Sequence, residues 1–224
     1  MTEDIAEVID IYWSPRSPYS YLATPRLRRL QESHAVRCRV RPVYPHAVRN
    51  PELSRSRGEL WLSYFKRDIV RTAEFLGMPI AWPRPDPVDI DPETGEPRPD
   101  QPRLKRLAHL ICAADERGRG IEFIDALTKR LWSPGTADWW ADDTLASSAG
   151  SAGLDIEELD AEISADPEKF ERVVEGNQRR ELEAGHWGAP VMVFRGEPFF
   201  GQDRIDQLVW RLDAAGLRRE GPLR

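Results

Sequence analysis

The sequence has few cysteines. Its 224 residues contain two, Cys38 and Cys112. They form no Cys-x-x-Cys pair, and no Cys/His cluster has the spacing of metal ligands, so no metal site is expected. Cys38 lies in an alternating apolar run and Cys112 in an apolar helical one, and we expect both to be small core residues.

Excess positive charge and long apolar runs are also missing. The net charge of -6 argues against a nucleic-acid partner, which would need a basic face. No apolar run approaches the length of a membrane span, so no membrane partner is expected. The first residues, Met1-Thr2-Glu3-Asp4, are acidic where a signal peptide would be basic, which favours a cytoplasmic protein.

The start of the chain predicts a βαβ unit. An apolar run from Val8 to Trp13 is typical of a strand, and Tyr21 to Ser33 has helical spacing. Val36 to Val43 alternates apolar residues with arginines, as in a half-buried strand. A parallel pair with a right-handed crossover is expected.

The middle of the chain is predicted to be helical, apart from two proline-marked segments. Pro42, Pro45 and Pro51 indicate a loop before a helix from about Glu59 to Leu76. Eight prolines between Met78 and Arg103 predict an extended excursion, either a wall over a site or a plain connection. Further helices are predicted over the following ranges: Leu104–Trp132 with a break at 118–120, Thr136–Ala149, Leu154–Ile163 and 167–184.

The end of the chain predicts a β-hairpin and a last helix. Val191–Phe194 and Pro198–Phe200 flank a tight turn, and apolar residues from Ile205 to Leu212 have helical spacing. The order βαβ, helices, ββα is that of an α/β thioredoxin-like fold with an inserted helical domain. The predicted domains are 1–58 with 186–224 (thioredoxin-like) and 59–185 (inserted).

The residues Ser17-Pro18-Tyr19-Ser20 stand where the first strand gives way to the first helix. Proline is well tolerated at the first helical position because its missing N–H would have no intrahelical partner. Ser17 is therefore placed at the N-cap, beside free backbone N–H groups and the positive end of the helix dipole. From this stretch alone, Ser17 is a helix cap.

Motifs at both ends of the chain resemble the DsbA-like superfamily. The resemblance is closest to the branch that holds 2-hydroxychromene-2-carboxylate isomerases and kappa-class glutathione transferases, in which Ser-Pro-Tyr/Phe-Ser replaces the Cys-Pro-x-Cys of redox enzymes. The later residues that fit the family pattern are Asn177, Gly188, Pro190, Gly201, Asp203 and Arg204.

The resemblance implies a glutathione-dependent isomerase or transferase that acts on a conjugated or aromatic electrophile, and commonly a homodimer. Ser17 is the implied catalytic residue, which stabilises the glutathione thiolate by a hydrogen bond. The implied glutathione contacts are Asn50, Ala189, Pro190 (as a cis proline), Gln202, Asp203 and Arg204.

Each implied site residue also has a purely structural alternative. Asn50 suits a turn, Asp203 could cap the last helix, and Pro190 could be a structural cis proline. For the whole protein the alternative is a redox-inactive, thioredoxin-like binding module without catalysis. The two serines, Ser17 and Ser20, exclude disulfide exchange at this position whichever reading holds.

Overall fold

A mixed four-stranded sheet organises the fold, in a computed structural model that describes residues 7–135 and 138–219. The strands are β1 (Glu7–Trp13), β2 (Val36–Pro42), β3 (Val191–Phe194) and β4 (Glu197–Phe200), in the order β2-β1-β3-β4. β1 pairs parallel to β2 and antiparallel to β3, which pairs antiparallel to β4. The predicted thioredoxin-like order is confirmed.

Helices make up most of the remaining described chain. They are α1 (Pro18–Ser33), α2 (His46–Arg49), α3 (Pro51–Arg55), α4 (Glu59–Leu76), α5 (Pro102–Glu116), α6 (Gly120–Leu131), α7 (Asp142–Ser151), α8 (Ile156–Ala165), α9 (Pro167–Glu183) and α10 (Ile205–Ala214). A 3-10 turn, Gln202–Arg204, precedes α10. None of them, within the described residues, has the length and apolar content to cross a bilayer.

Two helix predictions are wrong in detail. The segment predicted as a loop after Pro42 contains α2 and α3, because Pro51 opens a short helix that Asn50 caps. The helix predicted from Thr136 begins in the described chain at Asp142, and Thr136 itself lies outside the described residues.

The core extends from the sheet into the helices between α4 and α9. Alternation places Ile9, Ile11 and Trp13 of β1 at full burial. Residues of α5 and α6, such as Leu110 and Phe123, are equally buried and belong to the same cluster. The two predicted domains therefore share one hydrophobic core, and their division at residues 58 and 185 stays a prediction.

Candidate functional site

Ser17 faces the loop that precedes β3. Its backbone is extended, and its Oγ accepts the Ser20 N–H at 3.2 Å, as an N-cap does. The same hydroxyl donates to the carbonyl oxygen of Ala189 at 2.9 Å. Ser17 thus caps α1 and also joins the two ends of the chain.

Ser20 has no access to this cleft. Its side chain is fully buried, and its Oγ accepts the Ser14 N–H at 3.3 Å. The Ser20 carbonyl accepts a hydrogen bond from Thr24 Oγ1 at 2.7 Å. Only Ser17 of the serine pair is half-exposed and able to meet a ligand.

The loop opposite Ser17 contains a cis peptide bond between Ala189 and Pro190. Pro190 is buried, and its carbonyl accepts the N–H of Gly201 at 2.9 Å. Ala189 is half-buried, and its N–H has no hydrogen-bond partner among the described residues. An unpaired main-chain donor therefore lies beside the Ser17 hydroxyl, as an extended peptide-like ligand requires.

A buried ion pair lies next to this loop and contacts it at the Trp187 carbonyl. The Trp187 carbonyl accepts hydrogen bonds from His46 Nε2 at 2.8 Å and from Arg49 Nη2 at 2.7 Å. Arg49 Nη1 also lies 2.5 Å from a carboxylate oxygen of Glu181, whose side chain is 0% exposed. We call Arg49, Glu181 and His46 the loop anchor.

Burial shifts the pKa of two groups in the loop anchor, the Glu181 carboxyl and the His46 imidazole. Burial raises the pKa of the Glu181 carboxyl, although Arg49 opposes the rise. Burial and then the charge of Arg49 lower the pKa of His46 to about 4. His46 is therefore neutral near pH 7, and its Nε2–H is the donor to Trp187.

Aromatic side chains lie at the edge of the cleft in two sets of contacts. Tyr19 and Phe65 meet edge-on with ring centroids 5.7 Å apart, and Phe65 stacks on Trp61 at 4.7 Å. On the loop side, His186 contacts Trp187 at 5.3 Å and Phe200 at 3.8 Å. This aromatic rim starts two residues after Ser17 and ends at the residue before Gly201.

The proline-rich excursion contacts the turn before α1. Arg16 makes a bidentate ion pair with Asp86, at 2.8 and 2.9 Å. The Tyr21 hydroxyl donates to the Pro79 carbonyl at 2.6 Å, and Trp139 Nε1 donates to the Pro85 carbonyl, also at 2.6 Å. The Arg16–Asp86 pair places that part of the excursion beside the residue before Ser17, and its role as a wall or a plain connection stays a prediction.

The remaining predicted residues lie around the turn after β4 and in α3. Asn50 is exposed, and its Oδ1 accepts the Leu53 N–H at 3.1 Å, so its side chain caps α3. Asp203 does not cap α10; it is exposed and pairs with Arg204 at 2.7 Å. The Gln202 carbonyl accepts a hydrogen bond from Arg26 at 3.0 Å.

Hydrogen bonds thus connect some of the predicted site residues, and others lie nearby without such a bond. Ser17 bonds to Ala189, and Pro190 bonds to Gly201 at the start of the Gln202–Arg204 turn. Asn50 is adjacent in sequence to the loop anchor, and no hydrogen bond links its side chain to the cleft in the described chain. The loop anchor and Trp187 were not predicted as site residues, because Arg49 and Glu181 are 132 positions apart.

The protein's own thiols are buried away from the cleft. Burial raises the pKa of the Cys38 thiol to about 12 and also raises that of Cys112. Both cysteines are free, as predicted for core residues. Within residues 7–135 and 138–219 no three His, Cys, Asp or Glu side chains group as a metal site. A thiol in the cleft must therefore come from a ligand.

Comparisons with known proteins agree with this architecture. The profile of the family described as "DSBA-like thioredoxin domain" matches residues 8–213. A 2-hydroxychromene-2-carboxylate isomerase of Pseudomonas putida is 22% identical over 218 residues, which cover 90% of this chain and 92% of the relative.

Two solved structures share the fold over nearly the whole chain. A structure of 2-hydroxychromene-2-carboxylate isomerase has a TM-score of 0.66 and 19% identity, covering 93% of this chain and 96% of that one. The cytosolic disulfide reductase DsbM from Pseudomonas aeruginosa, solved with GSH, has a TM-score of 0.60 and 14% identity, covering 93% and 98%.

Proposed function

The chain belongs to the DsbA-like thioredoxin family, and within it we propose that this protein is a glutathione-dependent isomerase or transferase. Its substrate is a conjugated or aromatic electrophile. The observation that carries the proposal is the Ser17 hydroxyl, 2.9 Å from the Ala189 carbonyl and beside an unpaired Ala189 N–H. The isomerase relative supports the isomerase reaction, and the DsbM structure with GSH supports glutathione as the ligand.

The residues of the cleft fit glutathione, a short peptide-like thiol. Ala189 offers a main-chain N–H to the cysteinyl unit, in the manner of an added strand. The exposed Asp203 carboxylate suits the γ-glutamyl amino group. The backbone N–H groups of Gln202 and Asp203 suit the γ-glutamyl carboxylate, since the Arg204 N–H already donates to the Gly201 carbonyl. Asn50 is left for the glycine end, provided that its side chain leaves the α3 cap.

Glutathione, when bound, supplies a thiolate nucleophile. The protein's part is to hold that charge and to position it. The Ser17 Oγ stays fixed by the Ser20 N–H, and its proton turns from the Ala189 carbonyl towards the ligand sulfur. The positive end of α1 adds to the stabilisation of negative charge there. The aromatic rim provides flat apolar surface for the electrophile, in the reducing cytoplasm where glutathione stays a thiol.

Calorimetric titration with reduced glutathione tests this function. We expect saturable binding, with a heat that varies with the ionisation enthalpy of the buffer because the bound thiol releases its proton. S-methylglutathione, which has no thiol proton, is the matched ligand and should bind without that release. The absence of binding at millimolar glutathione, with the protein shown to be folded, would contradict the proposal and favour the non-catalytic binding module.

The proposed enzyme is a homodimer that uses the outer face of α4. In this helix Leu60 and Phe75 are 83% and 86% exposed, and among its residues only Ile69 and Ala73 are buried. Light scattering should give twice the chain mass for the parent and the chain mass for a Leu60→Lys/Phe75→Lys variant. Lys66→Glu, a change on the same helix, is the control. A monomeric parent at micromolar concentration would exclude this dimer.

A further inference from the structure

Arg57 is a cation without a carboxylate partner in the described chain. It lies in the short connection between α3 and α4 and is half-buried. No Asp or Glu oxygen of the described residues lies within 4.0 Å of it, and its N–H groups have no hydrogen-bond acceptor there. Other arginines near the cleft, Arg16 and Arg49, are each paired with a carboxylate.

Two indole rings hold the Arg57 guanidinium in place. It lies 4.6 Å from the centroid of Trp61 and 5.6 Å from the centroid of Trp187. Cation–π contacts of this kind hold the charge without using the N–H groups as donors to an anion. Burial lowers the pKa of Arg57 from its ordinary value. The guanidinium is a cation because arginine stays protonated in proteins.

The contacts of Trp187 and Trp61 show where the Arg57 guanidinium lies relative to Ser17. The Trp187 carbonyl is fixed by His46 and Arg49, two residues before Ala189, which meets Ser17. On the other side Trp61 stacks on Phe65, which contacts Tyr19 at the start of α1. Arg57 therefore lies at the edge of the same cleft as the Ser17 hydroxyl.

We propose that Arg57, held between Trp61 and Trp187, is the anion-binding residue of this cleft and takes a carboxylate of a molecule bound beside Ser17. The inference builds on the proposed function, since it concerns the same cleft. A guanidinium matches a carboxylate with two parallel N–H···O bonds, which are stronger where water is partly excluded.

The carboxylate that Arg57 binds belongs either to glutathione or to the electrophile, and two pairs of probes distinguish these cases. Reduced glutathione is compared with its glycine ethyl ester, in which the glycine carboxylate is neutral and the γ-glutamyl carboxylate is retained. Free 2-naphthoate is compared with 2-naphthamide, its neutral counterpart, as a stand-in for a flat electrophile. The proteins are the parent, Arg57→Ala, Arg57→Lys and the control Arg55→Ala, whose side chain is exposed and faces Glu96.

We expect Arg57→Ala to weaken the binding of one carboxylate probe by about ten- to a hundredfold, as for loss of a charged hydrogen bond. The neutral counterpart should bind the parent and Arg57→Ala alike. Arg57→Lys should recover part of the loss, and Arg55→Ala should bind like the parent. Selective loss of glutathione assigns the carboxylate to the thiol, and selective loss of naphthoate assigns it to the electrophile.

Equal binding of every probe to the parent and to Arg57→Ala would overturn the inference, as would a parent that binds neither carboxylate. The proposed function fails separately, when the parent binds no glutathione. Naphthoate binding that depends on Arg57 would then leave the anion site standing without the glutathione chemistry.

Discussion

Replacing Ser17 by alanine should slow glutathione-dependent conversion of an aromatic electrophile by about 10²- to 10³-fold, the usual cost of removing one donor from a developing anion. The hydroxyl that donates to Ala189 is the side-chain donor that the structure places at this point of the cleft. Without it, the pKa of the bound thiol should rise. The ultraviolet absorbance of the thiolate, followed against pH, measures that rise independently of turnover.

Loss of the helix cap must be separated from loss of the donor. Ser17 Oγ also accepts the Ser20 N–H, and removing such a cap costs about 1 kcal/mol of stability. Ser17→Thr retains both functions and should remain active. Ser17→Asp retains the cap of α1 but not the donor, so it should be inactive although the helix stays capped. If folded Ser17→Ala turned over at the parent's rate, Ser17 would act only as a helix cap.

Much of the fold could be predicted because its signals are local. The apolar run of β1, the alternation of β2, the proline at the first position of α1 and the turn between β3 and β4 each involve neighbouring residues. The two short helices α2 and α3 were missed for a related reason. A proline in this segment indicates a break as well as it indicates the start of a helix. The Asn50 cap marks the start of α3, whereas α2 begins after Pro45 without a side-chain cap.

The candidate site was harder to predict because it depends on contacts distant in sequence. Ser17 and Ala189, which the family resemblance brings together, share a hydrogen bond, and their roles towards a ligand stay predictions. No sequence pattern pairs Arg49 with Glu181 or places Arg57 between two indoles, since each contact depends on how α9 and the segment after β2 are packed. Nor could the sequence show that Asp203 pairs with Arg204 instead of capping α10.

Replacing Arg49 by leucine should lower the free energy of unfolding by about 3–5 kcal/mol, as measured by urea unfolding near neutral pH. The change leaves the fully buried Glu181 carboxylate without its cation and removes one of the two hydrogen bonds to the Trp187 carbonyl. An uncompensated buried charge costs far more than a lost contact between neutral groups. The double variant Arg49→Leu/Glu181→Leu removes that charge and should regain most of the loss.

The pH dependence of the stability lost in Arg49→Leu should identify the buried Glu181 carboxylate as the cause of the loss. Burial already raises the pKa of Glu181 above 4.5, and removal of Arg49 should raise it further. Between the unfolded and the folded pKa of Glu181, the folded protein binds more protons than the unfolded chain. The free energy of unfolding therefore falls as pH rises through the folded pKa. The deficit of Arg49→Leu should therefore be smallest near pH 5 and grow towards pH 8. A deficit that does not change with pH, or a double variant as unstable as the single one, would show that the loop anchor acts by packing alone.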